Sequence, residues 1–490
     1  MAREIRSYPR TPFLQVLTPE QERAVHQHSL EVLQRVGVTT TNRKLLELMA
    51  AHGQQVDLDA KRIRFDPTFV EERIALAPER FTMAARDPNL DLPLGGDVGW
   101  LTTDGCPASV IDLETGKRRY STKQDVADIA RVADALPQIG MVWQSAAAND
   151  KPVPVRPMHE THAQFPVTSK HIMQMTAIDP FNARGLVEMA QVIAGGAEQL
   201  RARPIMSNFQ CSISPLHWDE PTVDALEVFA AAGLPVGICS MPLAAASAPL
   251  SVAGLMTIAN AEILSGIVIL ETLVPGAKTF YVSYNTTIDL NSGELNPAWG
   301  PHDIFAEMAC TQMSRFYKIP NCAGAYGTGS KASDWQSGVQ NALAAFGAIL
   351  MPGDMLTGVG SLHGDSVYSL AELLLSCEIF DIVSRWAVGF PFRDEDFAVD
   401  TIEAVGPTGH FLDQDHTLAN MREFWRDTFM DRRNWEDWEA QGRPTPHDAA
   451  TAKAKEILAT HEPDPLPEDV ARELDRIMES YEAQAVGQAS

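Results

Sequence analysis

The chain is 490 residues long, 45% hydrophobic and 21% charged, with a formal net charge of −25. Length and composition suit one large globular core with extensions. The acidic balance excludes a nucleic-acid partner, which needs a basic face, and favours solubility or the attraction of cations. Residues 1–97 read as an N-terminal extension. Thr18 caps a helix that has Pro19 at its first position, runs through Gln34 and is stopped by Gly37. A second helix covers Asn42–Ala51, Ile63–Phe65 reads as a strand, and Asp66-Pro67 opens a third helix to Leu76. The N-terminal stretch MAREIRSYPRTPF has no apolar region, so a secretory signal is not expected.

From about Val98 to Val388 a short apolar strand runs into an amphipathic helix eight times, the cadence of a parallel barrel. The strands are predicted at Val98–Thr103, Met141–Ala146, His171–Thr176, Ile205–Gln210, Val236–Ser240, Thr279–Tyr284, Asn321–Tyr326 and Met355–Gly360. A hairpin through Asp112–Gly116 follows the first. Its helix is expected to start at Ser121, with Gln124 completing a capping box and Val126, Ile129, Ala130 and Ala133 forming the buried stripe. A helix over Asn182–Leu200 follows the third strand. Asp219 and Pro221 open the next, with Gly233 beyond its end, and further helices run to Leu273 and over Asp303–Tyr317, Ser333–Leu350 and up to Val388. The fold class is therefore α/β: a (β/α)8 TIM barrel over residues 98–390, with mainly helical extensions over 1–97 and 391–490. The charged tail Ala449–Ala485 reads as a packing arm.

The longest apolar stretch, Leu250–Val274, contains Asn260, Glu262 and Glu271, which argues against a membrane span. Six cysteines, at 106, 211, 239, 310, 322 and 377, form no CxxC, so a reducing cytoplasm is expected rather than a disulfide or zinc framework. A barrel places its chemistry at the C-terminal ends of its strands. Those tips carry Asp104, Gly105, Cys106, Trp143, Gln144, Gln174, Asn208, Gln210, Tyr281, Tyr284, Asn285 and Tyr326, then Ser361, His363, Gly364, Asp365 and Tyr368. Aromatics and amides with little positive charge suit a cationic organic ligand. Barrel filling is the plainer explanation of each aromatic taken alone. His363 and Asp365 are candidates to orient a carboxylate or a proton path. His159 and His162 miss the i, i+4 spacing of a zinc helix, and Cys211 and Cys239 read as core. The glycines at 327, 329, 358, 360 and 364 are a rival signal, since many barrels cradle a phosphate there, but Lys331 is the one cation nearby.

Several longer segments carry a family likeness. DPNLDLPLGGDVGW, CPASVIDLETGKRRYSTKQDVADIARVADALPQI, NAEILSGIVILETLVPGA, YGTGSKASDWQSG, GPTGHFLDQDHTL and RDTFMDRRNWEDW together resemble the trimethylamine methyltransferase family of corrinoid-dependent amine methyltransferases, over nearly the whole chain. The resemblance implies a barrel that moves a methyl group from a methylated amine to the cob(I)alamin of a separate corrinoid protein. It also implies no metal bound by the chain itself. Founding members carry pyrrolysine at the barrel mouth. This chain has none, and the equivalent position is expected near Tyr326–Lys331. Members without it include a glycine betaine methyltransferase, so a quaternary amine is the expected substrate, because its leaving group is already a neutral tertiary amine.

On that reading Trp143, Tyr284 and Tyr326 contribute to a cation cage. Gln174, Asn208, Gln210 and His363 hold the polar end of the substrate, His363 being the one catalytic candidate, and Asp104 adds negative charge. A homo-oligomer is expected, with no membrane partner. The alternatives are a barrel enzyme acting on a phosphorylated substrate and a non-catalytic betaine-binding barrel.

Overall fold

The computed structural model describes residues 3–489 apart from 106, 294, 297–299, 325 and 422–424, so Cys106 lies outside the described residues. Among the described residues eight parallel strands close in chain order: β1 (Val98–Thr103), β2 (Ile139–Trp143), β3 (His171–Gln174), β4 (Met206–Cys211), β5 (Val236–Ser240), β6 (Thr279–Ser283), β7 (Asn321–Gly324) and β8 (Met355–Val359). The last pairs with the first, Met355 opposite Trp100 and Leu356 opposite Leu101. The helices that follow them are α1 (Lys123–Ala135), α2 (Arg156–Gln164), α3 (Pro180–Ala194), α4 (Glu220–Ala231), α5 (Val252–Leu273), α6 (Pro301–Phe316), α7 (Trp335–Leu350) and α8 (Leu370–Val388).

Three local expectations need correction. The α1 cap is Thr122 with Asp125, one residue later than Ser121 with Gln124. The sequence STKQD offers both frames, and the later one gives Thr122 a carboxylate that Arg119 also clasps at 2.7 Å. Ser121 instead donates to Ala147 O at 2.7 Å. The helix expected over Asn182–Leu200 breaks at Gly195 and Gly196, whose φ values of 86° and 136° are not helical, and resumes at Ala197–Ala202. Strands β2, β3 and β7 stop two or three residues short of expectation, and β6 and β8 one. Past β2 the chain continues as buried loop, where Gln144, bonded to Ala146 O, replaces the ladder.

The N-terminal extension is welded to the barrel. Ser7–Pro9 pairs antiparallel with the start of β1, and Tyr8 donates to Gly353 O at 2.9 Å. Gly99 is required there, because a Cβ would sit 2.4 Å from the Tyr8 ring and 2.7 Å from Gly353 O. Arg10 meets Asp354 at 2.8 Å beneath the same seam. The short hairpin Phe81–Met83 and Leu92–Leu94 supplies Met83, Leu92 and Leu94 to the same apolar cluster as Trp100 and Met141.

Helix α5 is long and apolar enough to cross a membrane, yet it lies buried against β5 and the helix Pro19–Arg35. Its buried Glu262 accepts from the hydroxyls of Ser212, Ser214 and Ser240 and from Leu216 N, which tethers the loop after β4. In the tail, Pro446–Thr460 packs on α8 and α1, and Glu468–Ala489 on α3 and α2.

Candidate active site

Side chains alternate along a strand, so each barrel strand sends one parity inward and the other against the helices. The inward set is one cluster: Trp100, Met141, Trp143, Met173, Phe209, Cys239, Phe280, Val282, Cys322 and Met355. Toward the C-terminal end it becomes a line of rings. Trp143 meets Phe209 edge-on at 5.4 Å, and Phe209 meets Tyr284 edge-on at 6.3 Å. Trp143, 1% exposed, is held by its indole N–H to Thr102 Oγ1 at 3.0 Å and its backbone N–H to Thr103 Oγ1 at 2.8 Å.

Beside this line sit two carboxyl groups. Asp104 follows β1 and is 4% exposed, and Thr357 of β8 donates to Thr103 O at 2.7 Å and lies 3.3 Å from Asp104 Oδ1. Asp365 faces Asp104 from the loop after β8. It is presented by a left-handed turn in which His363, Gly364 and Asp365 have φ values of 49°, 57° and 59°. Non-glycine residues adopt this conformation at a cost that surrounding contacts must offset. Here His363 N donates to Ser330 O and Gly364 N to Thr328 O. Burial, and then the Asp365 carboxyl, push Asp104 well above the usual carboxylate range. The Tyr284 hydroxyl beside Thr357 and the Tyr368 hydroxyl beside Ser145 are buried without a hydrogen bond of ordinary geometry, as is Asp365 Oδ1. Buried polar atoms are normally paired, which makes this cluster the candidate site.

The structure divides the residues picked from sequence. Asp104, Trp143 and Tyr284 come together. Gln174, Asn208 and Gln210 do not join them: they lie on the outer parity of β3 and β4, in line with Ile172 and Met206 of the helix-facing core. There they form an amide ladder. Asn208 donates to Gln174 O at 3.0 Å, Gln210 to Asn208 Oδ1 at 2.7 Å and Ala177 O at 2.9 Å, and Gln174 to Thr176 Oγ1 at 2.8 Å. Tyr326 also faces outward, into the layer with Tyr8, Leu356 and Phe380. His363 is half-buried in the turn that presents Asp365. Phe209 is not among the residues the sequence singles out, because it stands between the polar Asn208 and Gln210. Both faces of a parallel barrel strand are buried, so hydropathy leaves no phase to choose between them.

The rival signals resolve into structure. Gly327 N and Gly329 N, amides a phosphate needs, donate to Asn341 Oδ1 at 2.7 Å and Gln340 Oε1 at 3.2 Å, and Lys331 caps Gly329 O. His159 and His162 flank Lys123 and pair with Glu482 and Asp475 of the tail. Cys211 and Cys239 are neighbours in register across β4 and β5. Among the described residues no group of three or more His, Cys, Asp or Glu side chains is placed to hold a metal.

Residues 2–485 match the family model described as trimethylamine methyltransferase (MTTB). The chain belongs to the trimethylamine methyltransferase family. It is 30% identical over 459 residues to trimethylamine methyltransferase MttB of Desulfitobacterium hafniense (strain DSM 10664 / DCB-2), covering 94% of this chain and 92% of that protein. It is also 30% identical over 467 residues to the glycine betaine methyltransferase of Desulfitobacterium hafniense (strain Y51), covering 94% and 96%. Among solved structures, the monomethylamine methyltransferase MtmB of Methanosarcina barkeri shares the fold, with a TM-score of 0.51 at 10% identity, over 92% of this chain and 89% of that one. The protein is thus a methyltransferase of a corrinoid-dependent family, built on a closed eight-stranded barrel.

Proposed function

We propose that this methyltransferase demethylates a quaternary amine, glycine betaine or a close relative, and passes the methyl group to cobalamin carried by a separate corrinoid protein. The observation that carries this reading is the ring line Trp143–Phe209–Tyr284 set beside Asp104 and Asp365. Each aromatic face attracts a desolvated ammonium by about 0.5–2 kcal/mol. The groups that bear most on Asp104 are Asp365, Gly105 N and Thr357, none of them cationic. A quaternary nitrogen leaves as a neutral tertiary amine, so the barrel's task is to orient one N-methyl outward and exclude water. The corrinoid supplies the acceptor chemistry.

The barrel rim supports a protein partner. Five successive loops after β2 to β6 each expose a large apolar residue there: Val153, Ile178, Ile213, Met241 and Leu290. Stopped-flow mixing of cob(I)alamin, protein and glycine betaine tests the reaction. If no quaternary amine yields methylated corrinoid, the reading fails.

A homo-oligomer is part of the same proposal. The arm over residues 390–421 carries Phe392 at 81% exposed and Leu412 at 86%, and its helices Val399–Val405 and Asp415–Asn420 bury nothing. At about 200 Å² per ring side chain, Phe390, Phe392, Phe397 and Phe411 leave on the order of 500 Å² uncovered. With Val399, Ile402, Leu412 and Leu418 the arm approaches the ~800 Å² each partner of a standard interface buries. A permanent apolar contact suits a second copy of this chain, whereas a corrinoid protein that must come and go needs a wetter face. The buried, unbridged thiols of Cys239, Cys310, Cys322 and Cys377 support a reducing, cytoplasmic setting.

A further inference from the structure

Helices α7 and α8 each carry a second apolar stripe besides the one that packs on the barrel. On α7 the barrel-side residues include Ala345, Ala348 and Ile349, and on α8 Leu373, Leu374 and Phe380. The second stripe of α7 is Trp335, Val339 and Ala342, and that of α8 is Leu375, Ile379 and Ile382, each at the spacing of one helix face. Together they line a cavity of about 640 Å³, overhung by Phe429 and residues 445–447 of the tail. That volume is in the range of small-molecule sites, ~300–1,000 Å³. Gly338 is part of the α7 wall, and a Cβ built on it meets nothing within 4 Å, so the glycine leaves the space open. Three buried polar atoms on the lining residues, Glu372 Oε2, Ser333 Oγ and His447 Nδ1, have no hydrogen bond of ordinary geometry. Glu372 is 2% exposed and its carboxyl is held in place. Its Oε1 accepts from Asn341 Nδ2 at 2.7 Å, and Asn341 Oδ1 accepts from Gly327 N at 2.7 Å, which leaves Oε2 over. The Ser333 hydroxyl lies beside the carboxyl but outside hydrogen-bond geometry. Two further carboxyls, Asp334 and Glu378, edge the cavity, and among the described lining residues there is no Lys or Arg.

We propose that this cleft is a second small-molecule site, which takes an amphiphilic ammonium bearing at least one N–H: the N–H donates to Glu372 Oε2, and the hydrocarbon body lies against the two apolar stripes. A buried carboxylate oxygen without a donor is costly, and a charge-assisted N–H bond is the contact that relieves it most. The apolar walls supply the rest of the affinity by area removed from water. Three carboxyls oppose an anionic amphiphile. A neutral alcohol makes only the weaker bond of an uncharged donor. A quaternary ammonium has no N–H to give, so this site and the barrel mouth select different cations. The cleft stands on its own residues and does not depend on what the mouth binds.

The test is isothermal titration of the full chain with n-octylamine at mildly alkaline pH, where Glu372, lifted by burial to about 7, is ionised. Octylamine should bind once per chain and should not be displaced by saturating glycine betaine. Octanol and octanoate should bind about tenfold more weakly or not at all. Glu372→Gln keeps the acceptor for Asn341, and should weaken octylamine about tenfold while leaving octanol unchanged. Gly338→Leu fills the cleft and should abolish octylamine binding. Leucine is also the better helix former, so the same variant should melt no lower than the parent, with glycine betaine binding intact. The site is refuted if octylamine does not bind, if octanoate binds as tightly, or if both variants bind octylamine as the parent does. Displacement by glycine betaine would put the amine in the barrel mouth and refute it equally. If the parent binds no amine and Gly338→Leu lowers the mass in light scattering, the cleft is a contact between copies of the chain and not a ligand site. Gly338→Leu decides the matter even where Glu372→Gln fails to fold.

Discussion

Two tyrosines that look equivalent in the sequence end on opposite sides of the barrel wall. Tyr284 ends the ring line, edge-on to Phe209 at 6.3 Å, with its hydroxyl unpartnered. Tyr326, two strand positions past the end of β7, is buried on the far side of the wall with Tyr8 and Phe380. Replacing each by leucine should therefore have opposite signatures. Tyr284→Leu removes one cation–π face, about 0.5–2 kcal/mol, which weakens glycine betaine binding roughly 2- to 30-fold. It also loses the edge contact with Phe209, about 0.5–1.5 kcal/mol of stability. Tyr326→Leu removes a ring from a closed core, at a cost of about 1–3 kcal/mol, and leaves the ligand Kd unchanged. Calorimetry with glycine betaine and thermal unfolding, run on both variants, give the four numbers. Equal loss of affinity in the two, or undiminished affinity in Tyr284→Leu, would show that the ring line is not the cation site.

Asn208→Ala should cost about 1–3 kcal/mol in denaturant titration, by leaving one Gln210 N–H without its acceptor and Gln174 O without its donor, with no change in ligand affinity. Gly99→Ala forces a Cβ into the Tyr8 ring, and limited proteolysis should then cut the first ten or so residues free far faster than in the parent. The double change Phe392→Asp and Leu412→Asp should convert the proposed homo-oligomer to monomers in light scattering; an unaltered mass would exclude the arm as the contact. Stability should also fall as pH rises from about 4.5 to about 8. Burial lifts the carboxyls of Glu160, Glu271 and Glu372 to about 7 and that of Glu307 to about 8, from the 4.5 of an ordinary glutamate. In that window the folded state keeps protons the unfolded chain has released, so raising the pH favours unfolding. Melting temperature followed across the window, with Glu307→Gln flattening part of the slope, checks the sign.

The eightfold cadence was legible because each βα unit carries its own local signals. Thr18, Asn42, Asp66 and Asp219 all cap the helices expected of them. Apolar stripes such as Val126, Ile129, Ala130 and Ala133 are buried as their spacing requires. Those signals lie within a few residues of one another and depend on the backbone alone. Where two local solutions compete, as in the STKQD cap frame, contacts from elsewhere decide, here Arg119 on Asp125 and Ala147 on Ser121.

The site was legible only by address. Chain order pointed to the strand ends as the candidate site and singled out Asp104, Trp143 and Tyr284, which the structure brings together. Which side of the wall each tip residue faces was not readable, because an inward ring and an outward amide are equally buried in a parallel barrel. Gln174, Asn208, Gln210 and Tyr326 fell to the outer face for that reason, and Phe209 to the inner. The sequence by itself determined the repeat, most of the caps, the family and the aromatic character of the candidate mouth. Closure of β8 onto β1 decided what no local pattern contains: it brings the loop that carries Asp365, some 260 residues away in the chain, to the same end of the barrel as Asp104.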